Sequence, residues 1–132
     1  MSFETGRYSA APAARVAEGW KLKRLTKPSR LYGANGMRTG ADGRIYVAQV
    51  SGSQISAIDV NSGAIEVISP MGGDIIGPDD LVFDDSGNMF VTEFTEGRIS
   101  VRERNGHTRV VHGNLPSANP ITIYKGRLLA GE

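Results

Sequence analysis

The stretch PDDLVFDDSGNMFVTE, residues 78–93, decides the fold that we predict for this chain. The stretch ANGMRTGADGRIYVAQ, residues 34–49, stands 44 residues earlier and aligns with it without a gap. The same offset relates QISAI at 54–58 to RISVR at 98–102. A third copy begins at Asn119 with NPITIY and has a shorter turn. The chain is therefore built from an internal repeat, which indicates a repeat architecture before any single strand is assigned.

Each copy of the repeat predicts four short strands separated by turn residues. In the second copy, Asn105-Gly106 is a strong hairpin signal because both residues tolerate the positive φ of a tight turn. The strands that we predict in that copy lie at about 81–84, 89–94, 99–102 and 108–111. Four antiparallel strands in a repeat of this length are typical of a propeller blade. A β-sandwich would not repeat its turns at a fixed offset, and a parallel β-helix has a shorter period. We therefore predict an all-β chain that forms about half of a β-propeller of four-stranded antiparallel blades.

The repeat also predicts how the chain is organised. The segments are an N-terminal arm at 1–19, a propeller half at 20–132, and within it blades at about 34–70, 78–112 and, incomplete, 119–132. Residues 20–25 alternate between apolar and polar side chains and are expected to add a strand to the last blade of the ring.

The third copy stops after two predicted strands, so a backbone edge is left with unpaired donors and acceptors. We therefore expect a second, different polypeptide to complete the propeller, either cut from the same precursor or separately encoded. A second copy of this chain is the alternative, and a longer parent protein is another.

The composition excludes several classes of function. The chain has 15 basic and 14 acidic residues, a net charge of +1 and no basic tract, which argues against a nucleic-acid partner. It has no cysteine, which excludes disulfides and thiolate sites. No segment is apolar for long enough to cross a membrane, and the first 14 residues do not resemble a signal peptide. We predict a cytoplasmic protein without a membrane partner.

Residues at the start of each inner strand are the candidate metal ligands. In a propeller these positions open on one rim of the central channel, so equivalent residues of successive blades converge there. The equivalent residues are Asn35, Asp79 and Asn119. Carboxylate and amide oxygens suit a hard cation such as Ca²⁺ or Mg²⁺, and Asp79 could also act as a general base. Asn and Asp before a strand are also common turn residues, so a structural role is the alternative for each.

The ends of the second strands return to the same rim and provide further candidates. Gln49, Glu93 and Glu132 are equivalent there, and we predict that Glu93 and Glu132 are catalytic. A solvated rim carboxylate is the alternative for both. His112 is expected in the crossover after the second blade, where a loop residue bonded to backbone is the simpler interpretation. The rim loops are small and polar, which favours a pocket for a small-molecule substrate.

Residues 77–93 resemble the blade motif of the gluconolactonase/regucalcin-like (senescence-marker-type) family of six-bladed β-propellers. Residues 34–47 and 119–128 look like further copies, so the resemblance covers residues 31–132. Strictosidine synthase-like, NHL-repeat and streptogramin lyase-like propellers share the same cadence. The resemblance implies that this chain is the N-terminal half of a six-bladed ring and that the whole is a lactonase or related hydrolase.

The resemblance also implies one divalent cation at the channel centre, commonly calcium, with magnesium, manganese and zinc as alternatives. Asp79 matches the family's Asp ligand, which is also its base, and Asn35 and Asn119 match its Asn ligands. The family's early Glu has no counterpart, and Asp80 and Pro120 stand where a Gly is expected. These departures allow a divergent enzyme with a different cyclic substrate.

The leading functional prediction is a metal-assisted hydrolase of a lactone or similar small cyclic ester, active only when a second chain completes the propeller. The first alternative is a metal-independent propeller lyase or synthase that uses Glu93, Glu132 or His112. The second is a non-catalytic NHL-like binding module. Metal content separates the leading prediction from both alternatives.

Overall fold

The protein is described from a computed structural model that covers residues 15–27 and 31–131. The described residues fall into two units, one within residues 15–27 and one within residues 31–131, and the predicted arm at 1–19 stays a prediction. Neither described range contains a helix, and so neither has a helix long and apolar enough to cross a membrane.

The first unit contains no strand within residues 15–27. Its one recorded backbone hydrogen bond joins Trp20 N to Ala17 O at 3.1 Å and closes a turn. The strand predicted at 20–25 was expected to pair with the last blade of the ring, which lies outside the described residues, so it stays a prediction. A strand forms where its backbone donors and acceptors find a neighbouring ladder, and the described residues supply none to this segment.

The second unit contains ten strands within residues 31–131. They are β1 (Ala34–Thr39), β2 (Ile45–Gln49), β3 (Gln54–Ile58), β4 (Ile65–Ser69), β5 (Pro78–Phe83), β6 (Met89–Glu93), β7 (Arg98–Arg102), β8 (Thr108–His112), β9 (Ile121–Tyr124) and β10 (Arg127–Ala130). They form three sheets in the orders β1-β2-β3-β4, β5-β6-β7-β8 and β10-β9, and every pairing is antiparallel. The prediction of four-stranded antiparallel units, with a third that is incomplete, is confirmed.

A β-bulge interrupts the first strand of both complete sheets at the same place. In the first sheet Ala34 pairs with Gln49, and the register shifts before Met37 pairs with Val47. The second sheet repeats this shift between Pro78 and Leu81. A bulge leaves extra residues outside the ladder and changes the direction of their side chains. The bulged residues are Asn35 and Gly36 in β1, and Asp79 and Asp80 in β5.

The first and second sheets are joined by an apolar core. Its buried members are Ala48, Ile55, Ile75, Leu81, Met89 and Val91. At its margin the rings of Tyr46 and Phe83 meet edge to face, with centroids 4.9 Å apart. Burial of these side chains is the main driving force for packing one sheet against the next. The packing brings the bulges of β1 and β5 side by side.

The third sheet is a hairpin of β9 and β10. Its turn consists of Lys125 and Gly126, with φ of 50° and 73°. Positive φ at both central residues is the geometry of a two-residue hairpin turn that matches strand twist, and a lysine tolerates it poorly. Within residues 31–131, β10 has a pairing partner on one side only.

Candidate functional site

The two inner-strand bulges bring Asn35 and Asp79 into direct contact. Asn35 Nδ2 donates a hydrogen bond of 2.6 Å to Asp79 Oδ1. Asp79 is only 4% exposed, and its other oxygen, Oδ2, is buried without a hydrogen-bond partner among the described residues. Buried polar atoms are nearly always paired, so Asp79 Oδ2 marks a place for a water, a proton, a cation or a substrate group.

The surroundings of Asp79 favour its neutral form. Burial raises the pKa of the Asp79 carboxyl above its ordinary value, because the charged form loses its water. The hydrogen bond from Asn35 acts in the opposite direction, and the negative charge of Asp80 raises the pKa of Asp79 again. Asp79 is therefore a carboxyl that holds a proton more readily than an exposed aspartate does.

Asp80, which the sequence did not single out as functional, connects the inner strands of all three sheets. Its Oδ2 accepts hydrogen bonds from Arg38 Nη2 of β1 at 2.9 Å and from Ile121 N of β9 at 3.2 Å. Its Oδ1 accepts from Leu81 N at 2.9 Å. At the position where a glycine was expected, Asp80 thus connects the three sheets through hydrogen bonds.

The equivalent position in the first sheet has to be glycine because of Asp80. A Cβ on Gly36 would lie 2.6 Å from Asp80 Cα and 2.8 Å from Asp79 O, and it would overlap Asp80 Oδ1. A side chain on Gly36 would therefore overlap the backbone of Asp79 and Asp80 as well as the Asp80 side chain, which explains why glycine stands at this position of the first copy. The sequence contained a signal for this role of Asp80: Gly36 and Asp80 occupy the same position in successive copies of the repeat but differ in residue type.

Asn119 lies at the same end of the inner strands, just before β9, but it is attached through its backbone. Thr92 Oγ1 donates to Asn119 O at 2.7 Å and accepts from Asp80 N at 3.0 Å. Asn119 N donates to Gly131 O at 3.2 Å. Asn119 is exposed, and within the described residues its side chain makes no recorded hydrogen bond to Asn35 or Asp79. The structure thus joins two of the three predicted ligands through their side chains and places the third nearby through Thr92.

Glu93 is buried inside the second sheet instead of exposed on the rim. Its exposed fraction is 0%. Three donors reach its carboxylate: Ile76 N at 2.7 Å, Arg98 Nη2 at 2.8 Å and the Ser100 hydroxyl. These contacts explain Glu93 without a catalytic role, so we do not include it among the reacting groups. Glu132, its predicted equivalent, lies outside the described residues.

His112 is the last residue of β8 and pairs with Ile99 of β7, so it does not lie in the crossover as expected. Two strands separate β8 from the inner strand β5 in the sheet order. That spacing is roughly 14 Å from β8 to β5. A catalytic contribution of His112 beside Asp79 is therefore not supported by this geometry.

Comparison with known proteins identifies the architecture. Neither a protein-family model nor a curated protein sequence matches this chain. Among solved structures, a catalytically inactive variant of virginiamycin B lyase from Staphylococcus aureus with quinupristin matches with a TM-score of 0.69 at 19% identity. A candidate gluconolactonase matches with a TM-score of 0.63 at 15% identity, and a nidogen/laminin complex with 0.60 at 22%. The chain carries part of a β-propeller.

The matched share of each structure shows how much of a propeller is present. The match covers 85% of this chain and 39% of the lyase chain, 74% and 40% for the candidate gluconolactonase, and 69% and 35% for the nidogen/laminin complex. The chain thus spans about two fifths of these proteins. At such identities the likeness shows the fold alone, and the particular propeller family is not shown.

The donor set around Asp79 fits a hard divalent cation in part. Asp79 Oδ2 is an unpartnered carboxylate oxygen, and the amide oxygens of Asn35 and Asn119 belong to residues at the same end of the inner strands. Such oxygens are the usual ligands of calcium and magnesium. No group of three or more His, Cys, Asp and Glu side chains in the described part of the chain could hold a metal ion. A cation here would therefore rely on amide oxygens and on ligands from the rest of the propeller.

Proposed function

We propose that this chain supplies part of the active site of a propeller hydrolase that opens a lactone or a similar small cyclic ester. The observation that carries the proposal is the Asp79 carboxyl, which is buried at the inner-strand bulge, held by Asn35 through one oxygen and unpartnered at the other. A carboxyl fixed in this way presents one oxygen in a defined direction, as a general base requires.

In the proposed reaction, water adds to the ester carbonyl carbon, the ring C–O bond breaks, and the product is an open hydroxy acid. Asp79 Oδ2 accepts a proton from the attacking water and returns it to the oxygen that leaves the ring. Asn35 keeps Asp79 Oδ1 in place throughout. Asp80, through its bonds to Arg38 and Ile121, keeps the three inner strands at constant spacing around the reacting atoms.

Asn35, Asp79 and Asn119 are the residues that would hold a divalent cation, most readily calcium, together with ligands from the rest of the propeller. When bound, such a cation supplies polarisation of the ester carbonyl and a lower pKa for a nearby water. The proposal needs a completed ring, since the central site of a propeller draws on all its blades. We propose that a second polypeptide or a longer parent chain supplies the remaining blades, and the partial coverage of the matched structures supports an incomplete ring.

A propeller lyase is the second candidate, because the structure matched with a TM-score of 0.69 is a lyase. The same Asp79 would then remove a carbon-bound proton, and the ester C–O bond would break with formation of a double bond and no uptake of water. An NHL-like binding module is the third candidate, and it predicts no turnover.

The test uses the purified protein in the association state found by native mass spectrometry with divalent ions retained. It is incubated with a panel of lactones and cyclic esters in water enriched in heavy oxygen. Hydrolysis places the heavy isotope in the product carboxylate, whereas elimination does not.

Asp79→Asn is expected to reduce turnover by about a hundredfold or more. Asp85→Asn, the same change on an exposed turn carboxylate, is the matched control and should leave turnover unchanged. Full activity in Asp79→Asn would refute the proposal.

A further inference from the structure

The contacts of Glu93 form a defined group that ties the sheet to the segment entering it. Glu93 closes β6 and pairs with Pro78 in the register of β5 and β6. Its Oε2 accepts from Ile76 N at 2.7 Å and Arg98 Nη2 at 2.8 Å, and its Oε1 accepts from Ser100 Oγ. Ile76 belongs to the crossover between the first two sheets, whereas Arg98 and Ser100 belong to β7.

The first sheet contains the same group with different chemistry. Gln49 Oε1 accepts from Tyr32 N at 2.8 Å and from Gln54 Nε2 at 3.2 Å, and Gln49 Nε2 donates to Ser56 Oγ at 2.8 Å. Each of these four residues stands 44 positions before its counterpart in the second sheet. The geometry is therefore retained while an ion pair in one sheet is replaced by two neutral amides in the other.

The segment that Glu93 holds leads directly to Asp79. Glu93 accepts the hydrogen bond from Ile76 N. The next residue is also held: Gly77 N donates to Ser53 Oγ, in the turn between β2 and β3, at 3.0 Å, and Phe94 N donates to Gly77 O at 3.0 Å. Pro78 then fixes its own φ through its ring. Every residue from 76 to 78 is thus constrained, and the next residue is Asp79.

We propose that Glu93 is a positioning residue for Asp79, acting through the backbone of residues 76–78. This inference rests on the proposed function of Asp79 as the reacting carboxyl. Glu93 cannot itself reach a substrate, because it is fully buried and all its recorded partners are donors from the protein. The proposed role depends on the hydrogen bonds of the side chain and not on its charge. In the first sheet the neutral Gln49 makes the equivalent hydrogen bonds, to Tyr32 N and Ser56 Oγ.

The chain supplies its own matched control for this proposal. Glu93→Gln combined with Arg98→Gln copies the Gln49 and Gln54 pair of the first sheet into the second. Glu93→Ala removes the acceptor of Ile76 N. Val101→Ala, a truncation of a buried side chain of β7, tests for general loosening of the sheet. The double variant removes the charge pair and also the hydrogen bond from Arg98 Nη2 to Asp74 O at 3.2 Å, whereas Glu93→Gln alone retains Arg98 and its bond to Asp74 O.

The measurements are kcat and KM for the ester found in the screen, and backbone hydrogen exchange at Ile76 and Gly77, in the complete assembly. Glu93→Ala should lower kcat by roughly ten- to a hundredfold with KM within about twofold, because misplacement of a reacting group by about 1 Å has effects of this size. Exchange at Ile76 and Gly77 should rise in the same variant. The double variant should restore kcat to within about threefold of the parent. Val101→Ala should lower Tm and leave kcat unchanged. If Glu93→Ala does not fold, Glu93→Asp, which shortens the reach to Ile76 N, is expected to show the same loss of kcat.

The proposal is overturned if Glu93→Ala folds with unchanged kcat and unchanged exchange at Ile76 and Gly77, or if Glu93→Gln, which keeps an acceptor for Ile76 N and retains Arg98, is as defective as Glu93→Ala. Failure of the proposed function is recognised separately. If the parent protein turns over no ester, the side-chain amide resonance of Asn35, which reports its hydrogen bond to Asp79, still decides the positioning role. A resonance that shifts in Glu93→Ala and returns in the double variant supports it, and one that never shifts refutes it.

Discussion

Asn35 and Asp79 occupy the same position in successive copies of the repeat, and their side chains are joined by a hydrogen bond of 2.6 Å. The bond connects two inner strands at the point where both ladders are interrupted by a bulge. Equivalent residues of a repeat usually contact the corresponding residues of neighbouring copies, because packing places like next to like. Here that rule brings an amide and a carboxylate together, and it leaves Asp79 Oδ2 without a hydrogen-bond partner among the described residues.

The raised pKa of Asp79 predicts a pH-dependent effect of neutralising it. A carboxyl whose pKa is raised in the folded state contributes most to stability below its ordinary pKa, and the contribution is lost as the pH rises through the folded pKa. We expect Asp79→Asn to raise Tm at pH 7, since no buried charge remains. The gain should shrink as the pH falls toward about 4, where the ordinary carboxyl titrates.

Thermal unfolding from pH 4 to 8 in a chelating buffer checks this expectation. Asp85→Asn, on an exposed turn, should give a Tm difference that does not change with pH in this way. A lower Tm for Asp79→Asn at pH 7 would contradict the conclusion that burial destabilises the charged form of Asp79.

The close approach of Asp80 to Gly36 predicts that the first inner strand accepts no side chain at that bulge. Gly36→Ala should lower the free energy of unfolding by about 1–3 kcal/mol, because the added Cβ overlaps Asp80 and neither backbone can move away freely. Gly113→Ala, where a Cβ would meet nothing within 4 Å, is the control and should have a small effect. Urea unfolding measures the free energy of unfolding of both variants. Equal values would contradict the prediction, because they would show that β1 and β5 can move apart at Gly36.

The ion pair between Arg38 and Asp80 is predicted to stabilise the packing of the inner strands. Arg38→Ala should lower the free energy of unfolding by about 1–2 kcal/mol, because the mostly buried Asp80 carboxylate loses its ion pair with Arg38. Arg44→Ala breaks pairs with the more exposed Asp42 and Glu66 and should cost less than about 1 kcal/mol. Urea unfolding in low and high salt checks the order, and a larger loss for Arg44→Ala would contradict it.

The turn of the third sheet offers a stabilising substitution. Lys125 has φ of 50° in a two-residue hairpin turn with Gly126. Asparagine tolerates this backbone conformation better than lysine, so Lys125→Asn should raise stability by about 0.5–1 kcal/mol. Lys125→Ala also removes the contact with the Tyr124 ring but gains no tolerance of positive φ, and it should give no increase. Thermal melting of each variant measures the change in Tm. A higher Tm in Lys125→Ala but not in Lys125→Asn would contradict the argument that positive φ at Lys125 limits stability.

Some features were predictable because they depend on short segments. The hairpins and strand positions follow from turn residues such as Asn105-Gly106 and from alternation over a few residues, and the structure contains a strand near each predicted position in the second copy. The segment at 20–25 shows the limit of this reasoning. Alternation there is real, but a strand also needs a neighbouring ladder, which local sequence does not contain.

The sequence by itself determined the 44-residue repeat, the antiparallel sheets and the equivalence of Asn35 with Asp79, since these follow from residue order and local backbone preference. Only the tertiary structure decided what the neighbouring residues do. Asp80 became a tie among three strands, and Glu93 turned inward to hold the crossover, because partners more than 15 residues away in sequence lie against them. The physical reason is that a carboxylate accepts hydrogen bonds from whichever donors the packed sheets bring within about 3 Å, and that set of donors is defined by packing across blades.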